Sequence, residues 1–431
     1  GEGQGRAARR VLLISLAVTS CVSLAAFLVL SYAPLERAIA SPLSPAPVAF
    51  AGLDAVIFSL GQLGAYALIG LGRAGRAGTV IAASVVTRYV MATIFVLHGL
   101  GGAGVFLGFC IGDLILPAVS IPMALRGIPA SGASKEDSRH LFGYMLSMLG
   151  SGLIVFAVSQ ADRLLAFAQK GLGDLAIYNV VSVGGNITAM APIALTNVLV
   201  PILGSMAGAG LAAKPEVLRN YTRYVSFVAF PIGFMLAAVA PALLKVFGTQ
   251  YVAASPLVGV MSISVAATAV SGVYSSELIS SKRTYHFFLG NVIALITLIA
   301  VAVVLVPSVG LLGVALGRAT MLFVTLGAFA YFLRASGNLV LDAPAYAKSL
   351  ASSAVMGGAI YALLFLITRA HPLGRLASVG LGVALVPLGL VVFLAVMRSL
   401  KAFNERDFEF LGRLLPKSLS RFGALAKRLL S

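Results

Sequence analysis

Residues 139–179 read RHLFGYMLSMLGSGLIVFAVSQADRLLAFAQKGLGDLAIYN. The apolar run after Arg139 is long enough to cross a bilayer, which takes about 20 residues of helix. It ends in Asp162 and Arg163, a pair that hydrocarbon tolerates poorly and that therefore needs protein or water around it. The stretch is read as the opening helix of the second of two related membrane bundles.

The composition agrees. Of 431 residues, 59% are hydrophobic and 10% charged, and the mean hydropathy is +1.01. Soluble domains carry roughly a quarter charged residues, so this is an all-α polytopic membrane protein. The net charge of +17 would suit nucleic acid only on a soluble basic domain, and no soluble stretch is long enough to form one. Cys21 and Cys110 sit singly inside apolar runs, without CxxC spacing, and read as packing residues; no metal site or cofactor is expected. The run after RAARR (6–10) exceeds a signal-peptide core and is followed by further spans, so it reads as a membrane helix.

Twelve spans are expected, at 11–32, 47–71, 79–98, 103–125, 140–164, 174–204, 221–247, 252–280, 286–306, 309–333, 345–368 and 374–397. Short connections near residues 100 and 308 require antiparallel hairpins. With a cytoplasmic start, twenty-three Lys and Arg fall on inside segments and six outside, with Arg88 and Arg318 inside spans. This bias places both ends of the chain in the cytoplasm of a multi-pass protein of the cell membrane. In the tail, Phe408, Leu411, Leu414 and Leu415, then Leu419, Phe422, Leu425 and Leu429, form apolar stripes against Lys417, Arg421 and Arg428. The expectation is an amphipathic surface helix resting on anionic lipid headgroups.

A repeat supports two bundles. Gly101, Gly104, Val105, Leu107 and Gly108 recur as Gly310, Gly313, Val314, Leu316 and Gly317, an offset of 209. At the same offset Ser59, Gln62 and Tyr66 fall on Thr268, Ser271 and Ser275. If the second bundle opens near Arg139, the first would open about seventy residues before Gly1, so a fragment lacking two spans of its parent is expected. The domains are then residues 1–130, the four remaining spans of the first bundle; 139–335, the second bundle; 345–397, two further spans; and 398–431, the tail.

These motifs carry a family resemblance. ADRLLAFAQKGLGDLAIYNV (161–180), the Pro201-containing end of the next span, VFGTQYVAA (246–254) and GLLGVALG (310–317) resemble the oligosaccharide flippase, or polysaccharide transporter, branch of the multidrug/oligosaccharidyl-lipid/polysaccharide exporter superfamily. The resemblance implies two pseudo-symmetric six-helix bundles around a central cavity plus two C-terminal helices, with the first two helices of the first bundle missing here. It also implies a lipid-linked glycan as cargo.

Charges at depth are the candidate functional groups, because each costs about 2.5 to 3.5 kcal/mol even on the mild insertion scale. Arg88, Asp113 and Arg318 lie deep and Asp54 slightly nearer the outer face; Asp162 and Arg163 lie near the outer edge and Glu277 near the inner one. Arg163 and Glu277 read as interfacial snorkelling residues. Arg88 and Arg318 suit a diphosphate because guanidinium donates in pairs and stays charged. Asp54, Asp113 and Asp162 are candidates for ion coupling or buried pairing. Asn179, Ser182, Asn186 and Asn197 share one helical face, and Ser264, Thr268, Ser271 and Ser275 another. From these stripes and from the second span, Ser59, Gln62, Asn179 and Asn186 join the expected substrate-binding set.

The expected function is a flippase moving a lipid-linked oligosaccharide by alternating access. A cation-coupled drug antiporter of the same superfamily is the nearest alternative, and it would favour acidic over basic cavity residues. An integral membrane transferase is a third; the loops are short, the four His are scattered, and no DxD, HExxH or GxxxxGK[ST] occurs, so the chain does not read as an enzyme.

Overall fold

The computed structural model describes residues 2–30, 45–127, 152–168, 171–208, 215–281, 283–335, 337–371 and 374–403. It divides into two compact units, Gly1–Leu146 and Ser147–Ser431. Among the described residues all regular structure is helical. Nine helices are long and apolar enough to cross a membrane, or ten if one bent pair counts as a single span. They cover ten of the twelve expected spans. The first and fifth expected spans fall only partly on described residues.

The first unit contains α1 (Glu2–Leu30), α2 (Pro45–Gly70), α3 (Ala74–Leu97) and α4 (Gly101–Gly127). Helix α4 packs on both α2 and α3, and α1 leans on α2. Small residues permit this closeness, as expected where lipid removes the hydrophobic drive between helices. A Cβ at Gly61 or Gly64 of α2 would run into Leu116 or Ser120 of α4. Across the α3–α4 hairpin, Gly104, Gly108 and Gly112 recur every fourth residue and face α3; a Cβ at Gly108 would collide with the backbone of Ala92, and one at Gly112 with that of Arg88.

The second unit begins with α5 (residues 152–168), followed by α6 (Leu172–Gly208) and α7 (Pro215–Leu243). After two short turns come α8 (Ser255–Thr268) and α9 (Ser271–Ser280), the hairpin α10 (Thr284–Val309) and α11 (Leu311–Arg334), and then α12 (Ala343–Ala370) and α13 (Arg375–Ser399). Helix α7 is the hub, touching α6, α8, α12 and α13. Asp342 caps α12 by accepting the Ala345 N–H at 3.1 Å. In the α10–α11 hairpin, Gly313 sits against the Leu305–Val306 backbone and Gly317 against Ala302. The two glycine hairpins are therefore built alike.

One expected span is not a single helix. Residues 252–280 read as one run, but α8 and α9 meet at a 44° bend. The hydroxyls of Ser264 and Thr268 donate back to the Val260 and Ser264 carbonyls at 2.6 and 2.7 Å. Immediately beyond them the backbone switches to tighter bonding, with the Gly272 N–H on Ala269 O and the Val273 N–H on Val270 O. Back-bonding of this kind bends helices, and hydropathy alone does not register it. The expected tail helix lies almost wholly outside the described residues, which end at Phe403.

Candidate functional site

In the first unit the deep charges converge. Arg88 of α3 pairs with Asp113 of α4 at 3.1 Å and with Asp54 of α2 at 3.6 Å. Asp113 is 1% exposed and accepts the Ser84 hydroxyl on Oδ1 at 2.9 Å. Its Oδ2 meets the guanidinium at pairing distance without hydrogen-bond geometry, and Asp54 Oδ1 is buried without a hydrogen bond among the described residues. Gly112 brings α4 close enough for its neighbour Asp113 to lie under Arg88. The guanidinium also sits 3.9 Å from the Phe109 ring centroid and 5.8 Å from that of Phe58. One cation thus faces two carboxylates, leaving one excess negative charge.

Ser59 and Gln62 are not within this cluster. Ser59 donates to its own helix at Ala55 O, and Gln62 is half-buried two turns beyond Asp54.

The second unit holds the opposite balance. Asp162 is 3% exposed: Oδ1 accepts the Arg163 N–H at 2.9 Å, while Oδ2 accepts both the Tyr178 hydroxyl at 2.9 Å and Arg318 Nη1 at 3.2 Å. Arg318 Nη1 also donates to Val158 O at 3.2 Å. Arg163 Nη1 donates to Gln160 Oε1 at 3.0 Å. These groups border a cavity of about 300 Å³ whose wall includes Ser159, Ser182, Asn186, Thr196, Thr268 and Ser271. The bend between α8 and α9 forms one side of it, through Thr268, Ala269, Ser271 and Gly272.

The polar stripes contribute unevenly. Asn186 and Ser182 reach the cavity wall, but Asn179 and Asn197 are exposed elsewhere on α6. Ser182, Thr188 and Thr196 bond back to α6 itself. Arg163, read as a snorkelling residue, lines the cavity instead, and Glu277, read the same way, is 3% exposed and accepts Asn338 Nδ2 at 3.1 Å. Tyr178, Gln160 and Ser84 do not stand out in the sequence; only Gln160 carries a signal, its place one helical turn before Arg163.

A second concavity lies on another side of α6. It encloses about 560 Å³ and is walled by apolar side chains: Ile187 and Leu195 of α6, Phe227, Ile232 and Met235 of α7, Met356 of α12, Leu390 and Phe393 of α13, and Phe403 beyond it.

Nine apolar helices among the described residues, ten spans with the bent pair, and charges buried within each unit define a polytopic membrane protein. The chain belongs to a family described as Polysaccharide biosynthesis protein, whose model matches residues 10–256. Its fold is shared with the lipid II flippase MurJ in its inward closed conformation, at 11% identity and a TM-score of 0.62, covering 90% of this chain and 84% of that one. A point mutant of the Vibrio cholerae MATE transporter VcmN follows at 17% identity and a TM-score of 0.61, with coverages of 78% and 81%. A MATE protein in the straight conformation gives 17%, 0.59, 78% and 80%. No curated protein matches the sequence.

Proposed function

We propose that this chain is a flippase that carries a lipid-linked oligosaccharide or polysaccharide precursor across the cell membrane by alternating access. The observation that carries the reading is the pairing of concavities about α6. Asn186 borders a polar, charged cavity and its neighbour Ile187 an apolar groove. A cargo with a polar head and a lipid tail needs both; a compact drug needs only one. The family supports the glycan, and the fold suits both flippases and drug exporters.

Within this reading Arg88, Arg318, Ser59, Gln62, Asn179 and Asn186 face the cargo during the cycle. Asp54 and Asp113 are the coupling groups: their cluster carries one carboxylate more than its arginine neutralises, and a buried excess charge favours uptake of a proton or a cation. Asp162 holds Arg318. The basic tail rests on anionic headgroups, and both ends of the chain are cytoplasmic. The antiporter alternative predicts export of hydrophobic cations and indifference to lipid-linked glycan.

The test is reconstitution of the full chain into proteoliposomes with a fluorescent polyprenyl-linked glycan, followed by its movement to the quencher-accessible leaflet. The flippase reading expects protein-dependent movement that unlabelled lipid-linked glycan competes away. Movement of a lipophilic cation without movement of the glycan would favour the antiporter.

A further inference from the structure

We propose that the second unit holds a bilayer phospholipid of net negative charge in a notch at the end of α7, with Lys245 on its phosphate. The notch shares no lining residue with the polar cavity or the apolar groove, and the inference stands whichever cargo the protein moves. It encloses about 200 Å³, below the roughly 300 Å³ at which pockets begin to enclose a whole small ligand, so it suits part of a lipid whose remainder lies in the bilayer. On α12, Tyr361, Leu364, Phe365 and Thr368 line it at i, i+3, i+4 and i+7, a single helical face. Pro241 of α7 and Lys245 of the turn after it complete the wall. From Tyr361 to the end of α12 at Ala370 the helix rises about 14 Å, enough for a headgroup and the upper part of an acyl chain. Tyr361 and Phe365 are each 51% exposed, so the notch opens sideways towards lipid.

Helix α13 comes close to α7 because Ser378 and Gly382, one turn apart, are small: a Cβ at Gly382 would lie 3.3 Å from that of Ala242. Across this contact Lys245 Nζ donates to the Ser378 hydroxyl at 3.1 Å. Among the described residues that is the ammonium's only hydrogen bond, and two of its three donors remain. The Thr368 hydroxyl is turned back to Leu364 O and Phe365 O, so Lys245 is the charged group of the wall. Two more cations stand one turn nearer the end of the bundle, Arg369 four residues after Phe365 and Arg375 three before Ser378, both exposed. Among the described residues none of the three pairs with a carboxylate. A zwitterionic headgroup answers its own phosphate, whereas three unanswered cations beside an apolar notch fit a headgroup of net negative charge.

The test exploits a chain without tryptophan. Leu366→Trp, exposed beside the notch but not lining it, places one fluorophore there, and Val304→Trp places another at an exposed position of α10. Each full-length variant is reconstituted into vesicles of equal parts phosphatidylcholine and phosphatidylglycerol, one of which carries brominated chains, and quenching gives the relative occupancy of the two lipids. At position 366 phosphatidylglycerol should be preferred about fivefold, the scale of one lysine beside an anionic headgroup, and at position 304 it should not be preferred. Adding Lys245→Gln should bring the ratio at 366 to unity, and Lys245→Arg should keep it; Lys245→Met is read if the amide variant does not reconstitute. Equal quenching by the two lipids at 366 with Lys245 present overturns the proposal before any charge is changed. A preference that survives Lys245→Gln assigns the lipid to Arg369 and Arg375 and removes Lys245. A preference equal at 304 would be general surface attraction and defeats the site. Cancellation by inorganic phosphate, but not by chloride at equal ionic strength, would make the ligand a free anion and defeats the lipid.

Discussion

Removing Arg88 should damage the first unit far more than removing either carboxylate it serves. Arg88→Ala leaves Asp113, 1% exposed, and Asp54, 8% exposed, facing each other with no described cation. Breaking a buried pair from one side costs about 3 to 5 kcal/mol, and here two carboxylates are stranded at once. Asp113→Asn does the opposite. It keeps an acceptor for the Ser84 hydroxyl and leaves Arg88 paired one-to-one with Asp54, so its cost should be about 1 kcal/mol, the scale of one weakened hydrogen bond. For a unit of this size each kcal/mol moves the melting temperature by roughly 2–4 °C, so Arg88→Ala should melt at least about 6 °C lower and Asp113→Asn only a few degrees. Circular dichroism melts of the purified full chain in detergent read both. Arg88→Ala melting with or above Asp113→Asn would refute the idea that one guanidinium holds two carboxylates.

Three further outcomes follow from the geometry. Tyr178→Phe removes a hydrogen bond to buried Asp162 and should cost about 1.5 to 3 kcal/mol in the same melts, though the ring keeps its packing; an unchanged melt would show that the hydroxyl is not bonded there. Gly108→Leu should abolish folded yield, because its Cβ would strike the Ala92 backbone, whereas Gly102→Leu, with nothing within 4 Å, should express normally; equal yields would refute the close α3–α4 contact. Arg223→Met should release the turn after α13, since Arg223 Nη2 donates to Ala402 O at 2.6 Å and its guanidinium lies 5.1 Å from the Phe227 ring centroid; a cysteine at position 403 should then alkylate several-fold faster, and an unchanged rate would refute the clamp.

The span pattern is legible in the sequence because hydrocarbon leaves few options: among the described residues nine of the expected apolar runs are single helices and a tenth is a bent pair, and the shared GxxGVxLG becomes two hairpins with glycines against backbone. The cavity-facing surface is less legible, since a face defined by helical spacing does not say whether a hydroxyl points to a cavity or back to its own carbonyl. Ser182 lines the cavity yet bonds to Asn179 O. The α8–α9 bend is hidden because Ala266, Ala267 and Ala269 are as apolar in a broken helix as in a straight one. Arg163 is hidden because depth along a helix carries no information about what the facing helices present.

The comparison of the two hairpins separates what a repeat preserves from what it does not. At the offset of 209, Arg88 falls on Thr297, Asp113 on Leu322, and Arg318 on Phe109. The glycines that let the helices touch are shared, but no deep charge is. If the charges served only to fasten each hairpin, the second would need them where the first has them, and instead it packs with Thr297 bonded to its own helix at Ile293 O. The repeated element is therefore sufficient as a fold without its ions. In one unit Arg88 lies between two carboxylates and over Phe109; in the other Asp162 holds Arg318 while a second arginine, Arg163, shares the cavity. The two clusters thus leave excess charges of opposite sign. A membrane interior penalises both, and packing explains neither; an anionic cargo for one and a coupling cation or proton for the other would explain both.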